Sequence, residues 1–144
     1  MIQPDYATLA AEAFAARDLA YAPYSQFRVG AAVLTASGRI FRGANIENTA
    51  LQATVCAERV ALLSAYAAGE RAILAIAVVT PTDTVASPCG VCRQVMAELA
   101  PGCSVLLLSQ HGEQRLTTPE ELLPRTGAHH RRDAQITNRT AHLV

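Results

Sequence analysis

Three cysteines and one glutamate have the residue types and spacing of a metal site with a nearby proton carrier. Cys56 is followed two residues later by Glu58, and Cys89 and Cys92 form a Cys-x-x-Cys pair farther along the chain. Three thiolates leave the fourth tetrahedral position of a zinc ion open for water, as in catalytic zinc sites. A glutamate this close to a ligand can move protons without binding the metal. We therefore predict a catalytic site for one Zn²⁺ per chain, with Glu58 as the proton carrier.

The elements that must position these residues alternate between helices and strands. Apolar periodicity predicts helices over 5–20, 56–68 and about 90–99, and a short one that begins after Thr118. Strands are predicted over Phe27–Thr35, Arg39–Ala44, Ile73–Thr80, Ser104–Ser109 and, more weakly, near Arg115. This order predicts an α/β fold, a three-layer α/β/α sandwich around a mixed five-stranded sheet whose first two strands are antiparallel.

Two of these helices begin at the cysteines. Unpaired backbone N–H groups in the first turn of a helix favour negative charge, so thiolates are stabilised there. The helix over 56–68 is also apolar nearly all round, which predicts that it is buried on more than one side.

Composition limits the class of protein. The chain has 144 residues, of which 51% are apolar, and this suffices for one domain with a substantial core. We predict a catalytic domain over 1–126 and a polar, loosely ordered tail over 127–144. The net charge is zero and tryptophan is absent, which argues against a nucleic acid polymer as partner.

The sequence also predicts a cytoplasmic protein without a membrane anchor. No apolar run reaches the 18 or so residues of a membrane span, and the N-terminus lacks the basic start and apolar run of a signal peptide. Free cysteines in such a compartment favour metal binding or catalysis over disulfides.

Four segments together resemble one known family. They are Ala22-Pro23-Tyr24-Ser25-Gln26-Phe27, Gly43-Ala44-Asn45-Ile46-Glu47-Asn48, Cys56-Ala57-Glu58-Arg59 and Ser87-Pro88-Cys89-Gly90-Val91-Cys92-Arg93-Gln94. In this order the chain resembles the small zinc-dependent cytidine deaminases, whose zinc motif occurs here in its three-cysteine form. The resemblance implies a hydrolase that acts on a cyclic amidine C–N bond. Its expected substrates are cytidine and deoxycytidine, its products are the uridine product and ammonia, its role is pyrimidine salvage, and its assembly is a homotetramer.

The resemblance also implies which residues contact the nucleoside. Asn45 and Glu47 would hold the ribose hydroxyls, and Phe27 would pack against the base. Because Asn45 and Glu47 alternate along a predicted strand, we expect both side chains on one face. Phe27 has a second interpretation as a core residue.

Further roles follow from the same resemblance. The backbone of Ala57 would meet the pyrimidine O2, and the carbonyl of Ser87 would meet the leaving amine. Arg59 would donate to a ligand sulfur next to the metal. Arg93, which directly follows the last ligand, is a second candidate for that role.

The chain departs from the family where aromatic rings are expected. Leu51 stands where many members have an aromatic, and Leu122-Leu123-Pro124-Arg125-Thr126-Gly127 lacks the phenylalanine of the usual Leu-Leu-Pro-x-x-Phe-Gly. The loss of these rings predicts a wider pocket that admits base-modified cytidines.

Three other interpretations stay open at this point. One is a deaminase of another small aminopyrimidine such as a nucleoside antibiotic, and a second is an enzyme that edits RNA or DNA. The third is a non-enzymatic module in which Cys103 or a histidine completes a structural zinc site.

Overall fold

The computed structural model describes residues 3–123, which form a sheet covered by helices. The elements are α1 Tyr6–Arg17, β1 Gly30–Thr35, β2 Ile40–Ala44, a 3₁₀ turn Leu51–Ala53, α2 Ala57–Ala67, β3 Ile73–Val79, α3 Gly90–Leu99, β4 Ser104–Leu108, β5 Gln114–Thr117 and α4 Pro119–Leu122. The strands lie in the order β2-β1-β3-β4-β5, with β3 and β4 parallel and the other neighbours antiparallel. The predicted mixed five-stranded sheet is confirmed.

Alternation along the strands gives the sheet two apolar faces, each covered by helices. One face packs on α1 through Leu9, Ala13, Ala32, Ala75, Ala77, Val79, Leu106 and Leu108. The other packs on α2 and α3 through Ala31, Val33, Ala61, Leu62, Ile76, Val78, Met96, Val105 and Leu107. The predicted three-layer sandwich is therefore confirmed.

Helix α2 lies unusually close to strand β2, at Gly43. A Cβ built on Gly43 would lie 2.3 Å from the carbonyl oxygen of Ala57 and 2.4 Å from the backbone nitrogen of Ala61. Only the absence of a side chain allows this approach. The contact holds the first turns of α2, which carry Glu58, against the sheet.

The first helix and the first strand are shorter than predicted. Helix α1 ends at Arg17 instead of residue 20, and β1 begins at Gly30 instead of Phe27. Residues 23–28 are all exposed, so they have no buried face to pair into the sheet. Side-chain hydrogen bonds hold this segment instead.

Two other expectations differ from the structure. Asn45 and Glu47 follow the end of β2, and only Ile46 between them makes isolated bridges, to Tyr21 and Val55. Helix α2 buries one face and leaves Leu63 48% exposed, so burial on a second side does not occur within a single chain.

The short last helix follows its sequence signals. Thr118 caps α4 by accepting a hydrogen bond from the backbone of Glu121 at 3.2 Å, and Pro119 takes the first helical position. Residues 127–144, predicted as a tail, lie outside the described part. Within residues 3–123, none of the helices has the length and hydropathy that crossing a bilayer requires.

Candidate metal centre and substrate cavity

The three predicted zinc ligands meet where two helices begin. Cys56 is the N-cap residue of α2 and Cys89 is the N-cap residue of α3, while Cys92 lies in the first turn of α3. The Cys89 sulfur accepts a hydrogen bond from the backbone N–H of Cys92 at 3.4 Å. The three Sγ atoms all lie within 4.8 Å of one another. The sheet therefore brings together ligands from two distant parts of the chain.

The spacing of the sulfurs fits a zinc ion. A tetrahedral site with Zn–S bonds of about 2.3 Å has S···S edges of about 3.8 Å. The Sγ atoms of Cys56 and Cys89 are 3.8 Å apart, and those of Cys89 and Cys92 are 3.2 Å apart. A set of three thiolates is also the soft donor set that zinc accepts. Cys56, Cys89 and Cys92 are thus positioned to bind one metal ion, and their donor set suits Zn²⁺.

Cys103 takes no part in this cluster. It is 3% exposed and belongs to the core under α2 and α3. Burial raises the pKa of its thiol to about 12, which disfavours the thiolate that a metal needs. A structural site completed by Cys103 has no support in this geometry.

Arg59 contacts the cluster directly. Its Nη2 donates to the Cys56 sulfur at 3.5 Å and to the carbonyl oxygen of Thr54 at 3.3 Å, and its buried Nε has no partner among the described residues. Hydrogen bonding lowers the pKa of Cys56 to about 5, with Cys92 as the partner of largest effect and Arg59 as the next. Hydrogen bonding to Cys56, followed by burial, raises the pKa of Cys92.

Arg93 does not occupy the position predicted for it. Its Nε donates to the carbonyl oxygen of Pro88 at 2.9 Å, and its Nη1 donates to that of Leu122 at 2.9 Å. Its described hydrogen bonds thus go to backbone oxygens instead of sulfur. They tie the segment before Cys89 to the end of α4.

Glu58 is a buried carboxyl beside the sulfurs. It lies in the first turn of α2 and is 5% exposed. Burial raises the pKa of Glu58, and negative charge on Cys56 adds to the rise. A raised pKa lets a carboxyl hold a proton more readily and pass it on, which is what a group that acts as both base and acid requires.

A cavity of about 290 Å³ opens onto the metal cluster. Of the predicted site residues, it is lined by Phe27, Asn45, Cys56, Ala57, Glu58, Ser87 and Cys89. The sequence interpretation missed Val29, Thr54, Val78, Thr80, Ala86 and Pro88, which also line it. The sequence gives only a weak indication that these residues line the cavity: each lies within three residues of a predicted site residue or at the end of β3.

The predicted ribose-binding residues hold the segment that carries Phe27. Asn45 is 9% exposed, and its amide accepts from the backbone of Val29 at 2.9 Å and donates to the carbonyl oxygen of Phe27 at 2.7 Å. Glu47 does not line the cavity, and its carboxylate accepts from the backbone N–H groups of Tyr24 and Ser25 at 3.0 and 3.2 Å.

Fold and site define an α/β protein with a three-thiolate metal centre beside a buried carboxyl, at the end of a cavity. Residues 4–107 match the family model described as the cytidine and deoxycytidylate deaminase zinc-binding region. The chain belongs to this family.

Several known deaminases are similar to this chain over most of its length. The chain is 51% identical over 121 residues to a cytidine deaminase of Halalkalibacterium halodurans, covering 83% of this chain and 92% of the relative. A crystal structure of cytidine deaminase from Burkholderia pseudomallei superposes with a TM-score of 0.82 at 47% identity, covering 86% of this chain and 99% of that one. A blasticidin-S deaminase of Bacillus cereus is 36% identical over 108 residues, 69% of this chain and 76% of the relative.

Proposed function

We propose that this protein catalyses the hydrolytic deamination of cytidine and deoxycytidine to the uridine product and ammonia, in pyrimidine salvage. The observation that carries the proposal is the position of Glu58, a buried carboxyl that lines the same cavity as Cys56 and Cys89. The family membership and the relatives named cytidine deaminase support the same activity.

The chemistry assigns one carboxyl two proton transfers. A zinc ion bound by the three cysteines would lower the pKa of water at the site towards about 7 and so supply a nucleophile near neutral pH. Glu58 takes the proton that this water releases and delivers it to N3 of the cytosine ring. The water oxygen adds to C4, and Glu58 then carries the proton of the new C4 hydroxyl to the amine as the C4–N bond breaks, which leaves the C4 carbonyl of the uridine product and ammonia. General acid–base catalysis of this kind contributes about 10²–10⁴-fold.

The remaining site residues orient the nucleoside. Phe27 packs against the base, and the N–H of Ala57, which has no intrahelical partner at the start of α2, meets the pyrimidine O2. The carbonyl oxygen of Ser87 accepts from the leaving amine. Asn45 and Glu47 hold the ribose hydroxyls. A site whose polar groups pair with the ribose rejects substrates that lack the matching hydroxyls.

A second candidate is a deaminase of another small aminopyrimidine such as a nucleoside antibiotic. Leu51 is 85% exposed where an aromatic is expected, and the chain is 36% identical to a relative named blasticidin-S deaminase. The named relative supports this candidate, while Leu51, which does not line the cavity, supports it only as a position that lacks the expected aromatic ring.

Self-association into a homotetramer is part of the proposal. The described surface carries several large apolar side chains, among them Leu19, Tyr21, Tyr24, Leu63 and Val91. Their burial between subunits would remove apolar area from water, and α2 would gain its second buried side. Light scattering should give about four times the chain mass of 15.3 kDa, and the mass of one chain would refute the assembly.

The proposed compartment is the cytoplasm, because its reducing conditions keep the three cysteine ligands free of disulfide bonds.

The test mixes purified, zinc-quantified protein with cytidine, deoxycytidine, cytosine and blasticidin S, and follows the ultraviolet absorbance of each. Loss of the cytidine and deoxycytidine signals, with one zinc per chain, supports the proposal. Turnover of blasticidin S alone favours the second candidate. Turnover of none of the substrates by zinc-loaded protein would contradict both.

A further inference from the structure

The segment that carries the Phe27 ring has no support from the core. Residues 23–28 are all exposed, yet Phe27 lines the cavity beside the metal cluster. Burial therefore cannot explain why the ring stays where the base must bind. Hydrogen bonds within the segment and to its neighbours have to hold it.

Ser25 is at the centre of these bonds. Its hydroxyl accepts from the backbone N–H of Phe27 at 3.0 Å and donates to the Oε2 of Glu47. Its backbone N–H donates to the other carboxylate oxygen of Glu47 at 3.2 Å. A hydroxyl has one proton to donate and lone pairs to accept with, so both bonds can exist together. One side chain thus links Phe27 to Glu47.

The backbone between Ser25 and Phe27 is strained, which makes this link more important. Gln26 has a φ of +57°, a region that residues with a Cβ rarely adopt. Such a conformation persists only where the surrounding bonds require it. The N–H of Gln26 bonds to Ala22 at 3.0 Å, and the carbonyl oxygen of Phe27 accepts from Asn45 at 2.7 Å. The other described bonds of the residues on either side of Gln26 involve the hydroxyl or backbone of Ser25.

The carboxylate of Glu47 keeps capacity for a ligand. It accepts three hydrogen bonds, from the backbone N–H of Tyr24, the backbone N–H of Ser25 and the Ser25 hydroxyl. The bond from the hydroxyl has the largest effect in lowering the pKa of Glu47. A carboxylate has about four lone-pair sites, so about one remains for a ribose hydroxyl. The three protein donors orient that remaining site.

We propose that Ser25 is a positioning residue for nucleoside binding. Its hydroxyl holds the Phe27 ring and the Glu47 carboxylate in one fixed relation, so that base and ribose are recognised together. This role rests on the proposed function, in which Phe27 meets the base and Glu47 meets the ribose.

The test compares Ser25→Ala, Ser25→Thr and wild-type enzyme. Removal of the hydroxyl should raise the KM for cytidine about tenfold, the scale of a lost hydrogen bond to a charged group, and change kcat less than about twofold. Threonine keeps the hydroxyl and should restore KM to within about twofold of wild type. Ser37→Ala is the matched control, because Ser37 is also an exposed serine that donates to a glutamate, Glu70 at 2.7 Å, but it lies outside the cavity lining.

A second readout does not depend on activity. Residue-resolved amide exchange should show the Phe27 N–H exchanging about fivefold faster in Ser25→Ala and near the wild-type rate in Ser25→Thr. The Val29 N–H, which bonds to Asn45, should not change.

Each outcome decides one of the two proposals. Unchanged KM and unchanged Phe27 exchange in Ser25→Ala would overturn the role of Ser25, as would a threonine variant no better than alanine. A wild-type protein without cytidine turnover would overturn the proposed function, while the exchange rates would still decide whether Ser25 holds the segment.

Discussion

The two ends of the cavity are built by different kinds of interaction. At the metal end, Glu58 and Cys92 are buried and lie in first turns of helices packed on the sheet. At the nucleoside end, Phe27 lies in an exposed segment that side-chain hydrogen bonds hold. Packing thus places the groups proposed to react, and polar contacts place the groups proposed to recognise the substrate. Changes at the metal end should affect catalysis and stability, and changes at the other end should affect KM.

The largest expected effect is loss of the proton carrier at the metal end. Glu58→Gln keeps the size of the side chain but cannot shuttle protons, so kcat should fall by about 10²–10⁴-fold. Steady-state kinetics on cytidine, with zinc content measured for each preparation, check this. Near-wild-type turnover with zinc retained would contradict the role of Glu58.

Arg59 should matter to the metal more than Arg93 does. Arg59→Gln removes the donor to the Cys56 sulfur, and loss of such a partner weakens metal binding by about 10–100-fold. Competition with a chelator measures the zinc affinity. Arg93→Gln is the control, since Arg93 donates to the carbonyl oxygens of Pro88 and Leu122, and its zinc affinity should stay near wild type. Equal losses in both variants would show that charge, and not the bond to sulfur, is what matters.

Alanine variants of two closely packed glycines should differ in their effect on the metal site. Gly43→Ala would push α2 away from β2 and should lower the free energy of unfolding by about 1–3 kcal/mol. Zinc affinity should also fall, because α2 begins at Cys56. Gly30→Ala makes a similar clash, 2.1 Å from the carbonyl oxygen of Ala13 in α1, and should lose stability but keep zinc affinity in the folded protein. Denaturant unfolding and zinc titration of both variants test this difference.

The smallest expected effect is at the nucleoside end. Phe27→Leu removes an aromatic contact worth on the order of 1 kcal/mol, so the KM for cytidine should rise several-fold with kcat nearly unchanged. Phe14→Leu is the matched control, since Phe14 packs against the core under α1 and should affect stability alone. A fall in kcat as large as the rise in KM would mean that Phe27 also positions the base for reaction.

Much of the fold could be predicted from residue patterns alone. The runs Ile73–Val79 and Ser104–Leu108 are buried strands with the expected bounds within one residue, because continuous apolar runs of that length fit the centre of a sheet. The ends of α1 and β1 were less predictable. Apolar residues such as Leu19 and Phe27 continue both patterns, although tertiary packing leaves them exposed.

The sequence by itself was enough to predict that Cys56, Cys89 and Cys92 form a metal cluster with Glu58 beside it, because thiolate donors and motif spacing are local properties of the chain. It also determined the order of helices and strands. Only the tertiary structure decided that Arg59 reaches a sulfur while Arg93 reaches backbone oxygens, and that Asn45 and Glu47 hold the Phe27 segment. These contacts join residues far apart in the chain, and their geometry depends on how helices and loops pack on the sheet.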